Sequence, residues 1–234
     1  WHSYKNRIKV SSINNIIADR NGTLWGTHRS GVYRLENGTF NFDFKGTGYK
    51  KTSTYGIFYD KEDNIWIGTM DLGVFKFSDD KFMVYDERTG LLNNVVTSVI
   101  EDNQGNIWTA TEGGVCVYDG NEYTYYTSDD VLTQHAIDVI FEDSRGYIWL
   151  GNINRDPVLR YNPKTKKFRR FTVNDGAPST SVLTINEDRD GNIWFASLWD
   201  SPFRYIYPQD GQPEAFRAFS EEDGLCSNSI WIIY

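Results

Sequence analysis

Short apolar runs alternate with polar turns along the whole chain, and no long helical period interrupts the alternation. In the clearest stretch, 94–127, β-branched or aromatic residues dominate four successive runs, at 95–100, 106–111, 115–118 and 123–126. Asp, Asn and Gly fill the gaps, and these residues favour tight turns because they bond their own backbone or accept positive φ. Short β-rich runs separated by tight turns predict antiparallel strands. Residues 94–127 are therefore predicted to form one four-stranded antiparallel sheet.

This unit is repeated along the chain. In five places an Asp stands six residues before a Trp, and the tryptophans follow one another at steps of 41, 42, 41 and 45 residues: Trp25, Trp66, Trp108, Trp149 and Trp194. A period in the low forties with four strands per copy is typical of β-propeller blades. The predicted fold is all-β: a β-propeller domain, or a fragment of one, with five complete four-stranded antiparallel blades and partial strands at both ends. The predicted blades are 11–44, 52–85, 94–127, 135–172 and 179–220, and the partial strands are 1–4 and 227–234.

The repeated residues are interpreted as scaffold. A single blade cannot bury both of its faces, so the Trp is predicted to fill the space between neighbouring blades. The Asp is predicted to form the turn that precedes it. Five blades and two partial strands do not close cleanly, so either the two ends build a partial sixth blade or, as we favour, further blades lie outside this chain. Unpaired end strands would leave exposed edges, which predicts association between copies if no other blades are supplied.

Composition and charge narrow the range of partners. The 234 residues carry a net charge of −8, from 24 basic and 32 acidic side chains. No basic stripe is present, which excludes the nucleic-acid-binding class. The sequence shows neither a signal peptide nor an apolar run long enough to span a bilayer, so no direct membrane span is predicted. Cys116 and Cys226 have neither metal-ligand nor disulfide spacing, and no cofactor is predicted.

One stretch of sequence suggests a family. Residues 62–77 read Glu-Asp-Asn-Ile-Trp-Ile-Gly-Thr-Met-Asp-Leu-Gly-Val-Phe-Lys-Phe. This segment resembles the two-component regulator propeller repeat, as do residues 142–151 and the connectors at 89–94 and 223–228. The resemblance implies a bacterial sensor domain, periplasmic or extracellular, that recognises a carbohydrate ligand and acts through a signalling partner. The repeat is more distantly similar to that of streptogramin lyases, whose catalytic His and Glu match no position here.

The loops after the second strand of each blade differ from copy to copy, although the flanking strands repeat. In a four-stranded blade these loops open on the face where propellers usually meet ligands. Trp199 is the one Trp in the complete repeats that stands outside the scaffold position. An exposed indole stacks on a sugar ring while carboxylate, amide and guanidinium groups bond the hydroxyls. The predicted ligand-binding residues are His28, Arg29, Asp71, Glu112, His135, Asn154, Arg155, Trp199 and Asp200.

Individual residues on these loops have alternative interpretations. Trp199 alternatively caps the hydrophobic edge of its own blade. Arg29 and Arg155 have the planar fork that suits a ligand carboxylate or sulfate. Either Arg alternatively pairs with a neighbouring carboxylate such as Asp156.

The whole domain also has alternative functions. A lyase or glycan-acting enzyme requires acid and base residues that converge on the same face, and His28 or His135 within reach of Glu112 or Asp71 would support it. A structural adaptor would bind another protein across the loop face. No catalytic residue is predicted, because two separate histidines are weak evidence for catalysis. No metal site is predicted either, because 188–192 resembles the start of a calcium loop but lacks its later Glu.

Overall fold

Five separate antiparallel sheets contain nearly all of the regular secondary structure. The computed structural model describes residues 13–36, 38–41, 47–128, 132, 136–178, 181–197, 199–208, 213–227 and 230. Each sheet has four strands that pair in chain order, and three short 3-10 helices are the helical elements of the described residues. The predicted all-β class with four-stranded antiparallel blades is confirmed. The predicted end strand 1–4 lies outside the described residues, as does all of 227–234 except residues 227 and 230.

The chain divides into two compact units, one formed by Trp1–Glu112 and Cys116–Thr124, the other by Gly113–Val115 and Tyr125–Tyr234. The first unit holds two sheets and most of a third: β1 (Asn15–Ala18), β2 (Leu24–His28), β3 (Gly31–Glu36), β4 (Thr39–Asn41); β5 (Thr54–Tyr59), β6 (Ile65–Thr69), β7 (Val74–Ser78), β8 (Lys81–Tyr85); β9 (Val96–Glu101), β10 (Ile107–Thr111), β11 (Gly114–Tyr118), β12 (Tyr123–Tyr126). The second unit holds the fourth and fifth sheets: β13 (Val139–Glu142), β14 (Ile148–Gly151), β15 (Val158–Asn162), β16 (Lys167–Phe171); β17 (Thr184–Glu187), β18 (Ile193–Ala196), β19 (Phe203–Ile206), β20 (Ala215–Ala218).

The Asp of each repeat holds both the turn and the Trp. In the third sheet, Oδ1 of Asp102 accepts the backbone N–H groups of Gln104 and Asn106, each at 2.9 Å. Oδ2 of the same carboxylate accepts the indole N–H of Trp108 at 2.9 Å. The same Asp–Trp bond measures 3.1, 2.7, 2.7 and 2.7 Å in the first, second, fourth and fifth sheets. The Asp therefore does more than form the predicted turn: it satisfies a largely buried indole N–H, which explains the constant spacing of six residues.

Three of these Trp rings lie in apolar clusters with side chains of the following sheet. The clusters join Trp25 with Ile57, Ile67 and Phe75; Trp66 with Leu91, Val96 and Val99; and Trp149 with Ile185, Phe195 and Tyr205. The first two clusters lie in the first unit and the last in the second unit. The predicted role of the Trp as filler between neighbouring sheets is confirmed at these three positions.

In four sheets a cation on the third strand lies opposite the Trp. The register pairs Trp25 with Arg34, Trp66 with Lys76, Trp149 with Arg160, and Trp194 with Arg204. The cations lie 5.2, 5.0, 5.4 and 5.2 Å from the respective ring centroids. A cation at this distance is attracted by the ring quadrupole, by about 0.5–2 kcal/mol depending on burial. The third strand thus contributes to the scaffold a feature that the sequence analysis did not use.

The same connector follows the second, fourth and fifth sheets. It is a 3-10 helix with a capping box at its N-terminus and a glycine of positive φ at its C-terminus. The three helices are Glu87–Thr89, Val173–Asp175 and Glu221–Asp223, and their glycines are Gly90, Gly176 and Gly224, with φ of 117°, 82° and 96°. No helix in the described part of the chain has the length and apolar character needed to cross a bilayer.

Candidate functional site

In the first unit, the loops after β2 and β6 are tied to the short segment 52–54, which leads into β5. The Ser53 hydroxyl donates to the carbonyl oxygen of Arg29 at 2.6 Å, and the Thr52 hydroxyl donates to Oδ1 of Asp71. The backbone N–H of Met70 donates to the carbonyl oxygen of Ser53 at 3.0 Å. Two predicted site residues from different sheets, Arg29 and Asp71, are therefore attached to the same segment, and both are exposed.

His28 is fixed by its own loop. Its Nδ1 accepts the backbone N–H of Ser30 at 3.0 Å and lies 2.6 Å from the Ser30 hydroxyl, which in turn lies 2.7 Å from the hydroxyl of Tyr33. Because Nδ1 accepts an N–H, the neutral ring carries its proton on Nε2. Nε2 is buried and has no hydrogen-bond partner among the described residues. The ring lone pair is therefore engaged inside the loop.

The structure gives separate partners to the residues that an enzyme would have to combine. His28 bonds to Ser30, whereas Asp71 bonds to Thr52. Glu112 is exposed on the loop after β10, where its backbone N–H donates to the carbonyl oxygen of Val95 at 3.3 Å. No hydrogen bond joins His28 to Asp71 or Glu112 within the described ranges. The other predicted histidine, His135, lies outside the described residues.

In the second unit, the loop after β14 is organised by Asn152, which is 2% exposed. Its Oδ1 accepts the backbone N–H of Asn154 at 2.9 Å, and its Nδ2 donates to Oδ2 of Asp156 at 2.9 Å. Arg155, between them, has a φ of 63°. This left-handed conformation costs a residue with a Cβ about 1–2 kcal/mol. In this conformation the Arg155 side chain is 54% exposed.

Arg155 forms an ion pair with Asp200, from the loop after β18. The guanidinium Nη2 lies 3.1 Å from Oδ1 of Asp200. The backbone N–H of Asp200 donates to the Ser197 hydroxyl at 3.0 Å, and its Oδ2 accepts the backbone N–H of Ser181 at 3.4 Å. The alternative that Arg155 pairs with a carboxylate is thus correct, but its partner is Asp200 of the next sheet and not Asp156. An exposed pair of this kind contributes only about 0–1 kcal/mol to stability.

Trp199 precedes Asp200 and is 62% exposed. The four scaffold tryptophans Trp25, Trp66, Trp108 and Trp149 are 1%, 4%, 2% and 0% exposed. This contrast argues against the alternative in which Trp199 caps the hydrophobic edge of its own sheet. The second unit therefore presents an exposed indole on the loop that also carries Asp200 of the ion pair.

Sequence reasoning missed the buried residues that hold these loops in place. Asp138, just before β13, accepts the backbone N–H of Ile153 through Oδ2 at 2.8 Å, and burial raises the pKa of its carboxyl group. The hydroxyls of Ser181 and Ser197 lie 2.8 Å apart, with both residues fully buried. An acidic residue at the start of an apolar first strand was the available signal for Asp138. No sequence feature pairs Ser181 with Ser197.

Three segments of the repeated sequence match a family model. The model described as the two component regulator propeller matches residues 48–71, 90–113 and 176–199. Each matched segment begins at a glycine of positive φ and ends in the loop after the second strand of a sheet. Three segments of the chain thus match the two-component regulator propeller repeat. Trp199, Asp71 and Glu112 all fall within matched repeats. No curated protein matches the chain.

Solved structures that contain similar sheets come from two-component systems and from a lyase. The extracellular domain of a hybrid two-component system from B. thetaiotaomicron aligns with a TM-score of 0.67 at 23% identity, covering 98% of this chain and 36% of that one. A second extracellular domain of such a system from the same organism aligns with a TM-score of 0.73 at 19% identity, covering 89% and 31%. Virginiamycin B lyase from Staphylococcus aureus aligns with a TM-score of 0.68 at 13% identity, covering 92% and 72%. At these identities the alignments show the shared fold. The chain spans about a third of the length of the two extracellular domains.

Proposed function

We propose that these repeats form the ligand-recognition part of a bacterial sensor of the two-component type, located in the periplasm or outside the cell, and that the ligand is a carbohydrate. The observation that carries this proposal is the exposed indole of Trp199 on the loop that also carries Asp200, the partner of Arg155 in an ion pair. An indole stacks on the C–H face of a sugar ring, while a carboxylate and a guanidinium bond its hydroxyls. The sensor role is supported by the family of the repeats and by the similar extracellular domains of two-component systems.

We further propose that the domain binds its ligand without catalysing a reaction. A general base needs a lone pair that reaches the substrate. The Nδ1 lone pair of His28 is engaged by Ser30, and Asp71 already accepts a hydrogen bond from Thr52. In the loops of the second unit, Arg155 and Asp200 neutralise each other. These arrangements suit hydrogen bonding to a ligand better than proton transfer.

The loops explain how binding would become a signal. The ligand contacts the loops after β14 and β18, which are joined by the Arg155–Asp200 pair. A ligand shifts a partner only as far as its affinities for two arrangements differ. A sugar that replaces the ion pair with bonds of its own would favour one spacing of these loops over another.

A thermal-shift screen against neutral and acidic oligosaccharides tests the proposal. A ligand at about one hundred times its Kd stabilises the fold by roughly 2.7 kcal/mol, which corresponds to a rise in Tm of about 5–10 °C for a chain of this length. Trp199→Ala should abolish the shift and Trp199→Phe should retain part of it. Met83→Ala, which removes a 46% exposed side chain from the outer strand β8, is the matched control and should leave the shift unchanged.

The screen also has outcomes that contradict the proposal. If folded protein shows no shift with any oligosaccharide, the carbohydrate ligand is wrong. If a shift occurs but survives Trp199→Ala, the ligand binds elsewhere. If a hit is chemically altered after incubation with the protein, the domain is an enzyme.

A further inference from the structure

The repeat Asp of the first sheet has one side-chain donor fewer than its counterparts. In the other four sheets, Oδ2 of this Asp accepts the Trp indole N–H and one further side-chain donor. In the second, third and fifth sheets that donor is an amide, at 2.8, 2.8 and 2.9 Å: Asn64, Asn106 and Asn192. In the fourth sheet it is the hydroxyl of Tyr207, which donates to Asp143. Among the described residues, Oδ2 of Asp19 accepts only the Trp25 indole, at 3.1 Å.

The sequence explains the missing donor. The three Asn residues all stand four positions after their Asp, and the first sheet has Thr23 at this position. The backbone N–H of Thr23 donates to Oδ1 of Asp19 at 2.9 Å, as the turn requires. Its short side chain carries no amide and makes no bond to this carboxylate in the described part of the chain. Oδ2 of Asp19 therefore keeps an acceptor position for a group from outside the sheet.

A cavity of about 680 Å³ lies at this position, between the first and second sheets of the first unit. We call it the Asp19 groove; its lining includes Asp19, Thr23, Trp25, Arg34, Phe77 and Asp79. It opens beside the turn between β1 and β2 and the turn between β7 and β8, at the opposite end of these sheets from the loops after β2 and β6. Its volume is typical of a small-molecule site.

The corresponding space between the fourth and fifth sheets is filled by two tyrosine rings. Tyr147 has the place of Thr23, four residues after the Asp, and Tyr207 has the place of Asp79, thirteen residues after the Trp. The two rings stack, with centroids 6.0 Å apart and planes inclined by 27°. The guanidinium of Arg160 lies 4.6 and 5.5 Å from their centroids. The first unit has a groove here because a Thr and an Asp replace two tyrosines.

The floor of the Asp19 groove still has the groups that receive such rings. Arg34 lies opposite Trp25 in the register, as Arg160 lies opposite its own Trp. Its guanidinium lies 5.2 Å from the Trp25 centroid and 5.9 Å from that of Phe77. A guanidinium between aromatic rings packs favourably against a further flat ring. The floor therefore suits an aromatic ligand.

The rim of the groove carries negative charge. Asp63 is neutralised by Arg20, whose Nη1 lies 2.8 Å from its Oδ2. The carboxylate of Asp79 has neither a hydrogen bond nor an ion pair within the described ranges. Asp80 lies 4.0 Å from Arg34, and its side chain is 90% exposed. A ligand that enters over Asp79 and Asp80 is favoured if that end of it is a cation.

We propose that the Asp19 groove is a binding site for a small phenolic amine. The phenol ring would lie against Arg34 where the second unit has tyrosine, and its hydroxyl would donate to Oδ2 of Asp19, as the Tyr207 hydroxyl does to Asp143. Because Asp79 has the place of Tyr207, the aliphatic end of the ligand would reach the Asp79 carboxylate, where an ammonium group is paired. A sugar could supply the hydroxyl donor but not the flat ring.

Isothermal titration calorimetry of the full chain with tyramine at pH 7 tests this site. Tyramine should bind one-to-one with a Kd below about 1 mM. Phenethylamine lacks the hydroxyl and should bind about tenfold more weakly or worse, because the hydrogen bond to a charged acceptor is lost. para-Ethylphenol lacks the amine and should also bind more weakly than tyramine. The advantage of tyramine over para-ethylphenol should shrink as salt is added, since the carboxylates on the rim are close to solvent.

Two variants separate the two ends of the ligand. Thr23→Asn supplies the amide that three other sheets use, so it should weaken tyramine binding about tenfold or more without lowering the Tm. Asp79→Asn removes the charge and keeps a residue type that tolerates the φ of 49° at this position. It should weaken tyramine binding about threefold and leave para-ethylphenol binding unchanged. Asp190→Asn removes an exposed charge from the turn of the fifth sheet and should change neither affinity.

Four outcomes would overturn the proposal. If folded protein binds no tyramine, water alone completes the hydrogen bonds of Asp19. Equal affinities for tyramine and phenethylamine would mean that the hydroxyl does not reach Asp19. Unchanged binding by a folded Thr23→Asn variant would place tyramine outside the groove. Loss of tyramine binding in Trp199→Ala would place it at the carbohydrate site. Tyramine binding that Trp199→Ala leaves intact supports a separate site, whatever the oligosaccharide screen finds.

Discussion

Within each sheet, the turn between the first two strands and the loop after the second strand follow different rules. The turn is built five times in the same way, with one carboxylate that accepts backbone N–H groups and an indole N–H. The loops are built differently each time: His28 bonds to Ser30 in one sheet, and Asn152 bonds to Asp156 in another. The repetition maintains the groups that fix each turn and its Trp, and the variation falls on the loops that carry exposed side chains such as Arg29, Asp71 and Trp199. A rigid scaffold that carries variable loops is the usual basis of specific recognition.

The comparison is tested most strongly by the two kinds of Trp in the second unit. Trp149→Ala should lower the free energy of unfolding by about 3–5 kcal/mol, because it removes a fully buried ring and leaves a cavity. Trp199→Ala should change it by less than about 0.5 kcal/mol, because the ring is mostly exposed. Urea denaturation followed by circular dichroism measures both. Similar losses for the two variants would mean that Trp199 also belongs to the scaffold.

The carboxylates give the next largest contrast. Asp143 is 4% exposed and accepts the Trp149 indole N–H, the Tyr207 hydroxyl and backbone N–H groups. Burial and the hydrogen bond to Asp143 raise the pKa of Tyr207, which stays a neutral donor. Asp143→Ala should therefore cost about 3 kcal/mol, because several buried donors lose their acceptor. Asp200→Ala, which breaks an exposed ion pair, should cost less than about 1 kcal/mol. If calorimetry gives equal losses, the turn and the loop do not differ in the way described.

Gly73 is a loop position at which the neighbouring strand restricts the choice of residue. It follows the loop after β6 with a φ of 77°, and a Cβ there would lie 2.1 Å from the carbonyl oxygen of Tyr85. Gly73→Ala should destabilise the fold by about 2 kcal/mol or more, since both strain and overlap oppose the methyl group. The control is Gly176→Ala, at a φ of 82° with no atom within 4 Å of the added Cβ. It should cost only the conformational penalty of about 1 kcal/mol. Equal thermal shifts for the two variants would contradict the overlap.

The same difference explains what the sequence could predict. The Asp–Trp spacing and the strand pattern are local and repeated, so the four-stranded sheets and the filling role of the Trp followed from them. The second function of the Asp was missed because a hydrogen bond to an indole leaves no signature other than a constant spacing. The loop contacts join residues of different repeats, such as Arg155 with Asp200 and Arg29 with Ser53. Pairings of this kind depend on how neighbouring sheets are placed, which no single repeat encodes.

The smallest expected effect concerns the charge under the loop after β14. Burial raises the pKa of Asp138 above its usual value of 3.8. The folded state therefore holds this proton more tightly than the unfolded chain does. The stability contributed by the protonated Asp138 is fully present below pH 3.8 and is lost as the pH rises through the folded pKa. Asp138→Asn keeps an oxygen for the N–H of Ile153 and removes the charge, so it should stabilise the fold at pH 7 and have no such effect below pH 3.8.

Asp175 is the control of opposite sign for that measurement. Hydrogen bonds from the backbone and hydroxyl of Thr172 hold the pKa of this carboxyl below its usual value. Its contribution is present above pH 3.8 and is lost as the pH falls through the folded pKa, so Asp175→Asn should destabilise the fold at pH 7. Urea unfolding of both variants at the two pH values decides the matter. If Asp138→Asn also destabilises the fold at pH 7, the carboxylate supports the loop as an anion, and this loop is held by charge in the same way as the turns of the scaffold.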